Sequence, residues 1–264
     1  VNEKIVFYAL LVILSTWGAT VLGAAAVFFV KEINRRLMSG MFGFASGVML
    51  AASFWSLLLP SIAMSTELGW PPWFPPLCGF FAGGIFLWCI DKILPHLHLG
   101  EHHTPEGFPA NWRRSLLLLF ALTIHKIPEG LAIGIAFGAV FAGMESASLM
   151  GAVSLMIGLS IQSIPESAAV VLPLRTGGLS RFRCFLCGQF LGAVGTIAAG
   201  IGALTVTLVQ VILPFALPFA AGAMFYVIIE ELIPTSHQSE NSDAGTIGAI
   251  IGFAIMMTLD IALG

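Results

Sequence analysis

Eight stretches of this chain are each apolar over a length that can cross a bilayer, at roughly 5 to 30, 38 to 63, 74 to 94, 115 to 140, 147 to 173, 184 to 209, 213 to 235 and 244 to 264, with short segments between them. A helix needs about 20 apolar residues to traverse the hydrocarbon core. Inside that core every backbone N–H and C=O must be satisfied by the protein itself, so only helices and closed barrels span it. The alternation of outward apolar and inward polar residues that marks a barrel strand is absent. The 29 glycines, spread through the stretches, suit close helix approach. The expected fold class is therefore an all-α integral membrane protein, an eight-transmembrane-helix bundle forming a single domain over residues 1–264. Only 9% of the residues are charged, against about 25% in soluble proteins.

Orientation follows from the basic residues, because positive charge near span ends is retained on the cytoplasmic side. Lys31, Arg35 and Arg36 follow the first stretch; Lys92, Arg113 and Arg114 flank the third loop; Arg175, Arg181 and Arg183 fill the fifth. Nine of the eleven basic residues thus fall in alternate loops, which predicts both termini on the extracytoplasmic side. The loop at 236 to 243 has no Lys or Arg and carries His237, Glu240 and Asp243 instead. The first stretch is long and lacks a small-residue cleavage site, so it reads as a retained helix. A net charge of −3 with no basic stripe gives no nucleic-acid partner. The lone Cys184-x-x-Cys187 has no second pair nearby and reads as packing.

Two motifs break the apolar monotony: HKIPEG, from His125 to Gly130, and QSIPES, from Gln162 to Ser167, thirty-seven residues apart. A carboxylate in mid-membrane costs a few kcal/mol and so points to a polar interior site. On a helix, i and i+4 share a face, so His125 projects with Glu129, and Gln162 with Glu166. Pro128 and Pro165 each remove a backbone donor and are expected to bend their helices beside the site. One imidazole, two carboxylates and an amide oxygen, without thiolate, suit zinc and also iron, manganese, cobalt or cadmium. These residues alone admit a transporter, a non-transporting metal receptor or an intramembrane metallohydrolase. The last is disfavoured by the absence of HExxH and by the single His within a span.

At these motifs, and in FASGVMLAASFWSLLLP, GAMFYVIIEELIP and MTLDIALG, the chain resembles the ZIP (Zrt/Irt-like) divalent metal transporters, most closely the prokaryotic branch. The resemblance implies no enzyme and no catalytic cofactor, but uptake of a divalent metal, zinc first, into the cytoplasm across a bacterial inner membrane. It implies alternating access, a homodimer, and a metal site between helices four and five made by His125, Glu129, Gln162 and Glu166, with Met49 contributing from helix two. Where several family members hold a second ion, this chain has Lys126, Ser163 and Gln189. An ammonium about 4 Å from a divalent ion repels it by about 8 kcal/mol at an effective dielectric of about 20, so a single ion is expected. Asp91, His96, His98, Glu230, Glu231 and His237 are expected to gather as the cytoplasmic release path; the loop from His96 to His103 reads equally as a transient metal contact or a solvated loop, and Asp260 equally as an entrance residue or a simple interfacial acid. No P-loop is present, so gradients must drive transport. A charge of +2 at about 2.3 kcal/mol per charge per 100 mV supports about a thousandfold accumulation.

Overall fold

The computed structural model describes residues 3–30, 34–93, 114–176, 178–208, 210–237 and 242–263. Eight long helices account for most of them: α1 (Glu3–Phe29), α2 (Arg35–Glu67), α3 (Phe74–Ile93), α4 (Arg114–Phe141), α5 (Leu149–Thr176), α6 (Arg181–Leu208), α7 (Leu213–Ser236) and α8 (Ser242–Leu263). No strand occurs among the described residues. Seven of the helices, α2 to α8, contain segments both long and apolar enough to cross a membrane, and α1 contributes a shorter apolar run at Leu14–Phe29. The chain is an all-α integral membrane protein.

The most extensive helix pairings are α2 with α8, α4 with α6, α3 with α7 and α1 with α5. Small residues permit them: at Gly47 of α2 a Cβ would collide with the Ala249 carbonyl of α8, so only glycine allows these backbones to touch. Of the seven spans, α5 is the most enclosed, running between α1, α2, α4 and α8. The core around it holds Met49, Leu57, Leu155, Leu159, Leu174 and Met224. Outward faces stay apolar, with Phe81, Ile85 and Trp88 on α3 and Ile247, Ile250 and Ile251 on α8 exposed, as lipid contact requires. Trp70 stacks on Phe74 and meets Phe215 edge-on at the start of α3, the position expected of an interfacial aromatic anchor.

Irregular turns occur on helices other than those that carry the two motifs. Both α4 and α5 run as continuous α-helix through Pro128 and Pro165. The π-helical turns lie instead at Ser53–Leu58 of α2 and Ile228–Leu232 of α7. Each directly precedes a short α segment that carries a proline in its first turn, Pro60 or Pro234. Neither proline can donate to the carbonyl four residues back, Ser56 or Glu230, and its ring crowds that oxygen. Widening the turn to π spacing accommodates the missing bond, and such bulges recur at functional sites.

Candidate metal site

The two motifs meet across the α4–α5 contact. Gly130, the residue after Glu129, lies so close to α6 that a Cβ there would collide with the Gly195 carbonyl, which seats the motif deep in the bundle. From α4, the Lys126 ammonium reaches Glu129 Oε2 at 2.6 Å on its own helix. It also reaches Glu166 Oε2 at 2.5 Å and Ser163 Oγ at 3.1 Å on α5. Ser163 Oγ donates in turn to the Leu159 carbonyl at 2.7 Å, so toward Lys126 it is an acceptor. An ammonium has three N–H groups, and here all three are used. Lys126, Glu129, Ser163 and Glu166 are all buried, and the two carboxylates around one cation leave the cluster one negative charge in excess. Lys126 is thus the shared counter-charge of Glu129 and Glu166.

Next to this ion cluster lie polar atoms that lack protein partners. Gln162, one turn before Glu166 on α5, is fully buried, and neither its Oε1 nor its Nε2 is hydrogen-bonded; Glu129 Oε1 is likewise without a partner. Buried polar groups are nearly always satisfied, so such atoms call for an explanation. Met49 is also fully buried, on α2 where that helix packs on α5. A small cavity lined by Lys126, Glu129, Ser163, Thr16, Thr20 and Gly192 opens beside the ammonium.

His125 also reaches α7. Its Nδ1 lies 3.0 Å from Glu231 Oε2 in the π turn of α7, with both side chains buried. Among the described residues no three His, Cys, Asp or Glu side chains converge on one point. Of the expected ligands, then, Glu129 and Glu166 come together on Lys126, Gln162 stands one turn away, and His125 meets α7.

Three other groups of expected residues each have their own surroundings. Gln189 does not line the cavity beside Lys126; its Oε1 accepts from Trp17 Nε1 at 3.1 Å, which ties α6 to α1. Of the expected release-path residues, Asp91 Oδ2 accepts from Tyr226 Oη of α7 at 3.1 Å, Glu230 is exposed, Glu231 is buried near His125, and His237 bonds within α7 and to Thr246 of α8. Adjacent on one helix, Glu230 and Glu231 face different ways. His96, His98 and the whole loop from His96 to His103 lie outside the described residues. Asp260 is buried, its Oδ1 accepting from Ser56 Oγ of α2 at 2.8 Å and Ser154 Oγ of α5 at 2.6 Å. Neither serine was singled out from sequence, although Ser56 stands four residues before a proline, where a π turn was legible.

A membrane bundle that buries two carboxylates, an imidazole and an amide along its inner helices is built as carriers of cations are, not as a lipid-facing scaffold. Comparison with known proteins specifies the class. The family model described as ZIP Zinc transporter matches residues 101–260. Zinc transporter ZIP11 of Homo sapiens is 37% identical, covering 98% of both chains. Zinc transporter GufA of Myxococcus xanthus is 33% identical over 93% of this chain and 95% of its own length, and zinc transporter ZIPB of Bordetella bronchiseptica is 34% identical over 100% of this chain and 84% of its own. The chain belongs to the ZIP zinc transporter family: it is a membrane transporter of divalent metal, not an enzyme, and it has bacterial as well as vertebrate relatives.

Proposed function

We propose that this protein takes up zinc into the cytoplasm through a single metal position between α4 and α5. The carrying observation is the pair of unpartnered polar groups, the Gln162 amide and Glu129 Oε1, beside two carboxylates whose Oε2 atoms are already held by Lys126. Burying such groups without partners costs a few kcal/mol each, and a cation coordinated by their oxygens removes that cost. Each carboxylate thus divides its work, one oxygen for the ammonium and one for zinc, with the Gln162 oxygen, His125 and Met49 completing the set. Lys126 stands where a second ion would, so the stoichiometry is one. Iron, manganese, cobalt and cadmium suit the same donors, and competition among them sets selectivity.

On this reading residues 1–264 form one domain of eight spans in a bacterial cytoplasmic membrane, with both termini outside, and the protein works as a homodimer. Access alternates as the α4–α5 block moves against α2 and α7. Glu230 and His237, with the segment from His96 to His103, belong to the cytoplasmic exit and Asp260 to the entrance. The membrane potential supplies the driving force. Zinc flux into proteoliposomes, measured with competing divalent metals and an imposed potential, tests the proposal. Zinc-dependent, potential-stimulated uptake is expected; binding without flux would make the protein a receptor and refute it.

A further inference from the structure

Glu67 closes the last turn of α2, where a helix carries partial negative charge and a carboxylate costs its own helix stability. That cost is offset by another part of the chain. Glu67 Oε1 accepts from the Glu145 N–H at 3.1 Å, and Oε2 accepts from the Ser146 N–H at 3.2 Å and from Ser146 Oγ at 2.6 Å. Both donor residues belong to the turn between α4 and α5.

That turn is fixed at both ends. Gly143, at φ +77°, ends α4 with the paired bonds of a Schellman cap, Met144 N–H to the Ala139 carbonyl and Gly143 N–H to the Val140 carbonyl. Ser148 opens α5 by accepting the Gly151 N–H on its hydroxyl at 3.2 Å. The turn therefore moves as one body with its helices, and the Glu67 bonds join the α4–α5 hairpin to the tip of α2. Deeper along the same helices, Asp260 of α8 gathers Ser56 of α2 and Ser154 of α5, and all three are buried. The end of the bundle that carries Asp260 is closed in this structure.

We infer that Glu67 is a latch on that end: its carboxylate holds the α4–α5 hairpin against the tip of α2 while the Asp260 end is closed, and must release it before that end can open. The inference rests on the proposed movement of the α4–α5 block against α2. A shift of the hairpin along α2 by one helical turn, about 5.4 Å, carries all three donors out of hydrogen-bond reach. Glu67 is exposed, so water replaces the lost partners and the latch opens at modest cost. Such a contact sets how the closed and open arrangements are populated without holding the bundle together.

The test uses the full-length protein with Ser154→Cys as a reporter of the closed end, labelled metal-free in detergent by a hydrophilic maleimide and read by peptide mass spectrometry. Adding Glu67→Ala is expected to raise the labelling rate at position 154 about 2- to 30-fold, the range for removing a side chain that caps backbone N–H groups. Ser146→Ala leaves two of the three bonds and is expected to raise it less. Cys184, buried near the other end of the bundle, is expected to label no faster in either variant. A parallel rise at Cys184 would mean loosening of the whole fold and would overturn the inference, as would an unchanged rate at position 154 in Glu67→Ala. In proteoliposomes, joining Glu67→Cys to Ser146→Cys with a short, reducible bis-thiosulfonate is expected to stop zinc flux relative to the wild type treated alike, and a reductant to restore it. Undiminished flux in the bridged protein, or no bridge at all, refutes the latch; absence of zinc flux in the untreated wild type rejects the transport reading instead.

Discussion

Replacing Lys126 by methionine removes the cation between two buried carboxylates while nearly preserving side-chain volume. The Oε2 atoms of Glu129 and Glu166 lie 2.6 and 2.5 Å from the same nitrogen, so they are at most 5.1 Å apart, the sum of those distances. Two like charges at that spacing repel by about 3 kcal/mol at an effective dielectric of about 20. Stranding the partners of a buried ion pair costs about 3 to 5 kcal/mol, which agrees. For a chain of this size that predicts a fall in unfolding temperature of roughly 6 to 12 °C for the metal-free protein in detergent. Zinc should restore part of the loss, so its stabilising shift should be larger in Lys126→Met than in the wild type. A double-mutant cycle sharpens the test. Glu166→Gln alone removes one attraction and lowers the unfolding temperature; in the Lys126→Met background it removes the repulsion and raises it. Thermal unfolding followed by intrinsic fluorescence measures all four proteins. An unfolding temperature of Lys126→Met within about 2 °C of the wild type, or a Glu166→Gln effect of the same sign in both backgrounds, would refute the counter-charge reasoning.

Glu129→Ala and His125→Ala should each abolish zinc flux in proteoliposomes while the protein still extracts as a folded species, because a dehydrated cation then finds too few donors; wild-type rates in either variant would defeat the ligand assignment. Zinc-soaked crystals should give one anomalous peak between α4 and α5, and Lys126→Asn alone should not add a second, since Ser163 offers only a neutral oxygen and Gln189 is turned to Trp17; two strong peaks in the unmodified protein would contradict this. Gly130→Ala should destabilise by about 1 to 3 kcal/mol or more, because its Cβ meets the Gly195 carbonyl. Gly200→Ala, with open space at the same position, should be near neutral, and equal effects of the two on unfolding temperature would show that backbone approach is not the cause.

What the sequence determined by itself is whatever depends on neighbours along one helix or on the solvent. Runs of about 20 apolar residues fixed helices in a membrane, and i, i+3 and i, i+4 spacing fixed that Lys126 can reach Glu129 and that Gln162 shares a face with Glu166. Tertiary structure alone decided how the helices are rotated against each other: that His125 meets Glu231 of α7, that Gln189 turns to Trp17, that Asp260 gathers Ser56 and Ser154, and that the π turns fall on α2 and α7 while Pro128 and Pro165 leave their helices unbroken. Those pairs are separated by more than a hundred residues, and a rotation of one helix by a single position exchanges Glu230 for Glu231. Such a rotation is set by the sum of many small packing contacts, at sites such as Gly47 and Gly130 where backbones touch, and no local periodicity along the chain encodes that sum.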